Sequence, residues 1–105
     1  MLAMLLVLTT VSSSTEAETL AEKIVTQKLA ACVQILPPMT SVYAWEGKLQ
    51  KESEHLLLIK TLPEKYDEVE AFIIANHSYE VPEMIAVDPE RISEKYANWL
   101  SQSLL

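Results

Sequence analysis

Residues 2–29 read LAMLLVLTTVSSSTEAETLAEKIVTQKL, and the pattern changes from strand-like to helical inside this segment. Leu2 to Val11 is a nearly continuous apolar run, which is typical of a strand buried on both faces. Thr15 and Glu18 have the spacing of a capping box, in which each side chain satisfies a backbone N–H of the other residue. Apolar residues then recur at helical spacing up to Leu29. The segment therefore predicts one strand followed by a helix over about residues 15–30.

Further apolar runs predict the remaining strands, and two proline motifs limit them. These runs are Cys32–Leu36, Val42–Trp45, Leu56–Ile59 and Val81–Val87. The pair Pro37-Pro38 marks a bend or a sheet edge, because proline has no N–H to donate to a strand ladder. Pro82 interrupts the last run near its start, and Gly47, the chain's only glycine, indicates a turn or a bulge.

Two more segments have helical spacing and complete a recognisable order of elements. One begins near Pro63, carries an apolar stripe that includes Phe72, and ends near His77. A short terminal helix contains Tyr96 and Trp99. The order is β-α-β-β-α-β plus a C-terminal helix, which is the ferredoxin-like α+β sandwich. We expect an antiparallel four-stranded sheet with both long helices on one face.

Length, composition and charge narrow the class of protein. The chain has 105 residues, of which 50% are hydrophobic and 22% are charged, so we expect a single globular domain over residues 1–105. The net charge of −7 argues against partners with many phosphates, namely nucleic acids and anionic membrane surfaces. An acidic chain remains compatible with cation binding.

The lone cysteine and the N-terminal segment indicate the cellular compartment in which we expect the protein. Cys32 has no partner for an intramolecular disulfide, which fits a reducing, cytoplasmic location. Met1 to Leu8 is apolar but lacks the basic region and the cleavage site of a secretion signal, and it is too short to span a bilayer. We interpret it as a buried strand.

The segment Val42 to Ile59 predicts a hairpin longer than a chain of this size needs. A long hairpin with exposed edges is suited to donating a strand to another copy. The sequence therefore indicates an oligomer without giving its number of subunits.

Five separated motifs carry a resemblance to a known family. They are KLAACV at 28–33, SVYAWEGK at 41–48, SEHLLLIKT at 53–61, HSYEVPE at 77–83 and YANWL at 96–100. In this order and spacing the chain resembles the CutA divalent-cation-tolerance family. The resemblance implies a ferredoxin-like fold, a tight homotrimer formed by extended strand pairing, and an architecture similar to the PII signalling proteins. It also implies a link to divalent cations, copper especially, and no generally established reaction, so we expect no enzyme activity.

The best candidates for metal ligands are His77, Glu80 and Glu83, because imidazole suits copper and zinc and carboxylates add negative charge. The alternative for His77 is a histidine held at a helix C-terminus by the dipole and by backbone hydrogen bonds. Cys32 offers a soft thiolate, but free cysteines in apolar runs usually pack as small hydrophobic residues. Within this resemblance the chain differs at two positions, because some bacterial members of the family carry a cysteine and a histidine where this chain has Thr9 and Asn76.

A different ligand and an interface are also predicted. Lys60 and Tyr79, with Glu83, are candidates for a pocket that takes a small anionic or polar ligand; the alternative is an ordinary ion pair. Aromatic residues are enriched at interfaces, so candidates for the trimer interface are Tyr43, Trp45 and Trp99. Ordinary core packing is the alternative for these three residues.

These observations lead to one main function and two alternatives. The main hypothesis is a homotrimer that binds and responds to copper or another divalent cation, with no obligatory cofactor and with itself as the protein partner. The first alternative is a PII-like small-molecule sensor without a specific metal role. The second is an assembly role in which the trimer presents surfaces to a partner. Nucleophilic catalysis is poorly supported, because the sequence lacks a nucleophile turn, a phosphate loop and a cysteine–histidine signature.

Overall fold

The computed structural model describes residues 3–105. Eight elements follow in order: β1 (Leu5–Val11), α1 (Ser14–Thr26), β2 (Cys32–Ile35), β3 (Met39–Trp45), β4 (Lys48–Thr61), α2 (Tyr66–Asn76), β5 (Ile85–Val87) and α3 (Glu94–Ser103). A short 3-10 turn, Pro63–Lys65, leads into α2. Met1 and Leu2, which the sequence assigned to the first strand, lie outside the described residues. No helix within residues 3–105 is long and apolar enough to cross a membrane.

The sheet is antiparallel and confirms the ferredoxin-like arrangement, with β4 as its longest strand. The order of the main sheet is β2-β4-β1-β5, and β3 pairs separately with β4. Residues 55–61 of β4, here called the core half, pair with β1, and residues 57–60 of that half also pair with β2. Residues 48–54, the hairpin half, pair with β3. The sheet therefore has five strands rather than the expected four, because Pro37-Pro38 separates β2 from β3 and both pair with the same long strand.

The main core lies between one face of the sheet and the two long helices, as expected. It contains alternate residues of β1 and of the core half, together with the inner faces of α1 and α2: Val7, Val11, Leu57, Ile59, Leu20, Ile24, Val69 and Ile73. All eight side chains are buried. Burial of each such side chain contributes roughly 1.5–3 kcal/mol, so this layer is the main source of stability.

The third helix covers part of the opposite face of the sheet. Leu6 and Leu8 alternate with the core residues of β1 and are half-buried. Lys60 also alternates with core residues, and its ammonium lies 5.5 Å from the centre of the Tyr96 ring on α3. Ala97 on the same helix is buried. The second face is therefore partly closed by α3.

The β3–β4 hairpin projects from this compact body. Its turn places Glu46 at φ 51° and Gly47 at φ 77°, the pattern of a type I′ turn, which matches the twist of two paired strands. The molecule measures 46 × 27 × 24 Å, and its radius of gyration is 14.5 Å. A compact chain of this length would have about 13 Å. The predicted long hairpin is confirmed, and it accounts for the elongation.

The N-cap of the first helix lies two residues earlier than expected, and the helix ends four residues earlier. Ser13 is the N-cap, and its hydroxyl accepts the Glu16 N–H at 3.1 Å. The same spacing that suggested Thr15 and Glu18 also occurs at Ser13 and Glu16. The helix ends at Thr26 because Lys28 takes φ 58°, a left-handed conformation that no helix continues.

The last predicted strand is much shorter than its apolar run. The sequence predicted Val81 to Val87, whereas β5 includes Ile85–Val87 alone. Pro82 cannot donate a hydrogen bond to a ladder, and residues 77–84 cross the end of β1 as irregular chain instead. This irregular crossing, here called the crossing segment, presents the candidate site residues.

Candidate functional site

His77 fixes the crossing segment to the end of β1 through both of its ring nitrogens. The Tyr79 N–H donates to Nδ1 at 2.9 Å, so Nδ1 carries no proton and Nε2–H donates to the Thr10 carbonyl at 2.7 Å. The side chain is fully buried. This geometry corresponds to the histidine with backbone hydrogen bonds that the sequence left open as an alternative. As a metal ligand, His77 stays a prediction that requires one of these bonds to break.

Glu16 ties the same segment to the first turn of α1. Its carboxylate accepts the Ser78 N–H at 3.0 Å and the Ser78 hydroxyl at 2.9 Å. A carboxylate at this position is also stabilised by the N-terminal end of the helix dipole. Glu16 thus joins α1 to a segment 62 residues away, a contact that the sequence analysis missed. The Ser-x-x-Glu pattern was a signal for the cap, but not for this long-range partner.

Tyr79 lies beside His77 and reaches the hairpin. Its hydroxyl donates to Glu54 on β4 at 2.8 Å, and the Glu54 residue is only 7% exposed. Burial of the ring raises the pKa of the Tyr79 phenol well above its ordinary value, and the hydrogen bond to Glu54 raises that pKa further. Tyr79 therefore remains a neutral hydrogen-bond donor throughout the physiological range. Glu54 was missed because an isolated glutamate between two predicted strands of the hairpin gives no sign of burial.

An open cleft of about 470 Å³ lies where the hairpin meets the crossing segment. Its lining includes one residue at the end of β1, two aromatic residues of β3, one glutamate of β4, and five residues of the crossing segment: Thr10, Tyr43, Trp45, Glu54, Tyr79, Glu80, Val81, Pro82 and Glu83. The structure thus joins two groups that the sequence treated separately, the predicted carboxylate ligands and the predicted aromatic interface. No lysine or arginine is among these lining residues.

The other predicted site residues lie elsewhere. Cys32 is opposite Lys60 in the β2–β4 register, and Lys60 is opposite Leu6 of β1. Thr10 is four residues beyond Leu6, about 13 Å along an extended strand. The structure therefore does not bring Lys60 and Tyr79 into one pocket, nor Cys32 to the cleft. Trp99 lies on α3, 5.5 Å from the Tyr96 ring.

Thr9 and Asn76, the two positions at which this chain differs from some bacterial relatives, do not face the cleft. Thr9 is fully buried and shares the core face of β1 with Val7 and Val11. Its hydroxyl is the one buried side-chain polar atom without a hydrogen-bond partner among the residues described. The Asn76 amide donates to the Phe72 carbonyl at 2.8 Å within α2. Neither side chain is therefore available to the cleft in this conformation.

The cleft does not form a preassembled metal site within one chain. Across residues 3–105, no three side chains of histidine, cysteine, aspartate or glutamate are grouped closely enough to hold a metal ion together. Glu80 and Glu83 are exposed at the cleft, whereas Glu54 is buried. The arrangement offers carboxylate oxygens and aromatic faces around a cavity much larger than a single ion.

These features define a small ferredoxin-like α+β protein with an acidic, aromatic cleft beside a projecting hairpin. The family model described as CutA1 divalent ion tolerance protein matches residues 5–103. The chain belongs to this family. This finding confirms the resemblance carried by the five sequence motifs.

Individual relatives agree with this assignment. The chain is 46% identical to Protein CutA, chloroplastic, of Arabidopsis thaliana over 94% of its own length and 54% of that protein, so it spans about half of this plant relative. It is 38% identical to the divalent-cation tolerance protein CutA of Thermus thermophilus, covering 92% of this chain and 94% of that one. The crystal structure of CutA1 from Oryza sativa superposes with a TM-score of 0.94 at 42% identity, covering 97% and 94% of the two chains.

Proposed function

We propose that this protein acts as a homotrimer in the handling of divalent cations and binds them through carboxylate oxygens of the cleft. The observation that carries the proposal is that Glu54, Glu80 and Glu83 all line one cleft and that no lysine or arginine lines it. Membership of a divalent-ion-tolerance family supports the same role. The chain's net charge of −7 favours cations over anions as ligands.

The exposed apolar residues of the hairpin support the trimer. Four large apolar residues of the hairpin are exposed: Val42 and Leu49 lie on one face, and Tyr43 and Trp45 lie on the opposite face. Patches of this kind mark interaction surfaces, and an outer strand such as β3 has a free edge that another copy would pair with. In such an assembly a neighbouring subunit would close the open side of the cleft and bring further ligands to the cation.

The donor atoms favour a hard divalent cation over copper. Carboxylate oxygens suit Mg²⁺, Ca²⁺ and Mn²⁺, whereas copper prefers imidazole and thiolate. Both ring nitrogens of His77 are occupied, and Cys32 lies away from the cleft. Copper binding therefore requires His77 to rotate or a neighbouring subunit to supply a ligand. A cytoplasmic location, proposed from the lone cysteine, would keep that thiol reduced.

Calorimetric titration of the purified protein with MnCl₂, ZnCl₂ and CuCl₂ tests this proposal, with the mass in solution measured on each sample. The double variant Glu80→Gln/Glu83→Gln should weaken Mn²⁺ binding at least tenfold. Its matched control, Glu64→Gln/Glu68→Gln, changes the same charge on exposed residues outside the cleft and should leave binding unchanged. His77→Ala should weaken copper binding more than Mn²⁺ binding, because it removes the imidazole and also loosens the crossing segment that carries Glu80 and Glu83.

The outcomes separate the possible sites. Equal binding by the cleft variant and its control would contradict cation binding at the cleft. Loss of Mn²⁺ binding in His77→Ala together with unchanged Mn²⁺ binding in Glu80→Gln/Glu83→Gln, in proteins that remain folded and of unchanged mass, would transfer the ligand role from the carboxylates to the imidazole. Absence of saturable binding by any of the three ions in a confirmed trimer would overturn the metal proposal.

The cleft also favours a second candidate function, the sensing of a small molecule. Its volume of about 470 Å³ falls in the range of small-molecule sites, roughly 300–1,000 Å³. Aromatic side chains with a few polar groups are the usual lining of such sites. The absence of a three-ligand metal group within residues 3–105 supports this alternative further.

A further inference from the structure

We infer that the cleft binds a small organic ammonium cation through aromatic faces and a buried carboxylate. The inference rests on the second candidate function, the sensing of a small molecule, and it names the chemical class of that molecule. It depends on three features of the cleft: its aromatic lining, the burial of the Glu54 carboxylate without an ion-pair partner among residues 3–105, and the absence of basic side chains from the lining.

Three aromatic side chains border the cleft from two directions. Tyr43 and Trp45 are two residues apart on β3, so their side chains leave the same face of the hairpin. Tyr79 approaches from the crossing segment and is held by its bond to Glu54. Aromatic faces attract ammonium groups, and surfaces that combine several rings are the usual way to recognise alkylated ammonium ions.

Glu54 supplies the charge that such a ligand would neutralise. The residue is only 7% exposed, and its one hydrogen-bond donor is the Tyr79 hydroxyl. Within residues 3–105 no lysine, arginine or histidine nitrogen forms an ion pair with this carboxylate. A buried carboxylate without a cation is costly, so a ligand cation in the cleft would relieve that cost.

The remaining lining residues argue for an organic cation over other ligands. Anionic ligands would meet three carboxylates and no basic side chain. A divalent cation, the ligand of the first proposal, would use the carboxylates and leave most of a cavity of about 470 Å³ to solvent. A small organic cation uses the volume, the rings and the negative charge together.

Three probes of similar shape and different charge test the inference. They are choline, its uncharged carbon isostere in which carbon replaces the quaternary nitrogen, and pivalate as an anion. Each is titrated at constant ionic strength while proton–nitrogen correlation spectra follow the indole N–H groups of Trp45 and Trp99. Choline should shift the Trp45 signal saturably and leave Trp99 unmoved. The isostere should bind at least tenfold more weakly, and pivalate should not bind.

Variants locate the site. Trp45→Leu should weaken choline binding about twofold to thirtyfold, the range expected for loss of one cation–π contact. Trp99→Leu is the matched control, because the two tryptophans are 49% and 47% exposed. Glu54→Gln should weaken choline binding at least tenfold, because the new side-chain amide oxygen still accepts the Tyr79 hydroxyl but the negative charge is gone. The mass in solution is measured for each variant so that altered assembly is recognised.

The probes distinguish failure of the inference from failure of the function on which it rests. Binding of the isostere or pivalate as tightly as choline would overturn the ammonium assignment and leave small-molecule sensing standing. If none of the three probes shifts the Trp45 signal, both the ammonium assignment and small-molecule sensing at the cleft are overturned. Equal weakening by Trp45→Leu and Trp99→Leu, or unchanged choline binding in Glu54→Gln, would also refute the inference.

Discussion

The two halves of β4 belong to one 14-residue strand but lie in different surroundings. In the core half, Leu57, Ile59 and Thr61 are fully buried beneath α1 and α2. In the hairpin half, Leu49 is 70% exposed and only Glu54, next to the cleft, is buried. The comparison shows that the two halves of the strand contribute to different parts of the molecule. The core half holds the fold together, whereas the hairpin half pairs with β3, places Glu54 in the lining of the cleft and leaves Leu49 exposed.

The largest expected effect is on the core half. Ile59→Ala should lower the free energy of unfolding by about 2–5 kcal/mol, because it removes a fully buried side chain and leaves a cavity. Leu49→Ala in the hairpin half should cost no more than about 0.5 kcal/mol of the intrinsic stability of one chain. Urea unfolding at low protein concentration measures both variants. Similar losses in the two variants would remove the distinction between the halves.

The next effect concerns self-association through the hairpin. Val42→Glu should weaken the proposed trimer at least a hundredfold, about 2.8 kcal/mol, because it places an unpaired charge in an apolar interface. Ile74→Glu on α2 is the matched control, since both residues are 58% exposed. Sedimentation velocity over a dilution series measures the association. A trimer that Val42→Glu leaves intact, or that Ile74→Glu disrupts equally, would contradict the role of the hairpin.

A smaller effect is expected where α1 holds the crossing segment against the cleft. Glu16→Ala removes two hydrogen bonds to Ser78 and should cost about 1 kcal/mol. It should also speed hydrogen exchange at the Tyr79 amide, because the crossing segment would detach more often. Glu18→Ala, at an exposed position on the same helix, is the control and also tests the corrected position of the cap. Equal effects of Glu16→Ala and Glu18→Ala would argue against this tie.

The smallest effect is a pH dependence of stability from Tyr79. Its pKa is raised in the folded protein, so the folded state keeps the phenolic proton to a higher pH than the unfolded state does. The resulting stabilisation is complete below the unfolded pKa of about 10 and is lost as the pH rises toward the folded value. Urea midpoints should therefore fall less steeply above about pH 10 in Tyr79→Phe than in the parent protein. Parallel curves would contradict the assignment.

Much of the fold follows from local patterns in the sequence. Apolar runs and helical stripes predicted the elements and the long hairpin, because these depend on spacing between near neighbours. The order of the elements, which is that of the ferredoxin-like fold, then predicted that α1 and α2 share one face of the sheet. These local sequence patterns did not predict the ends of helices and strands correctly. Two Ser/Thr-x-x-Glu patterns overlap at the start of α1, and the run that contains Pro82 is apolar but pairs with a neighbouring strand only at its end.

The candidate site was predicted in parts but not as a whole. Glu80, Glu83, Tyr43 and Trp45 were each selected from the sequence, for different roles, and the structure joins them in one cleft. Their meeting depends on contacts between distant segments, such as the bond between Tyr79 and a glutamate 25 residues away. The spacing of residues along the chain does not predict such contacts. For the same reason the sequence grouped Lys60 with Tyr79, which the sheet register separates.

The most direct test of the cleft as the site of cation binding is paramagnetic broadening of proton–nitrogen correlation spectra by Mn²⁺, an ion that favours oxygen ligands. If the cleft binds the cation, substoichiometric MnCl₂ should first broaden the amide signals of Glu54, Glu80 and Glu83 together with the Trp45 indole. Signals from Cys32 and from α3 should stay sharp. Broadening centred on Cys32, or spread evenly over the acidic surface, would contradict the assignment of the cleft.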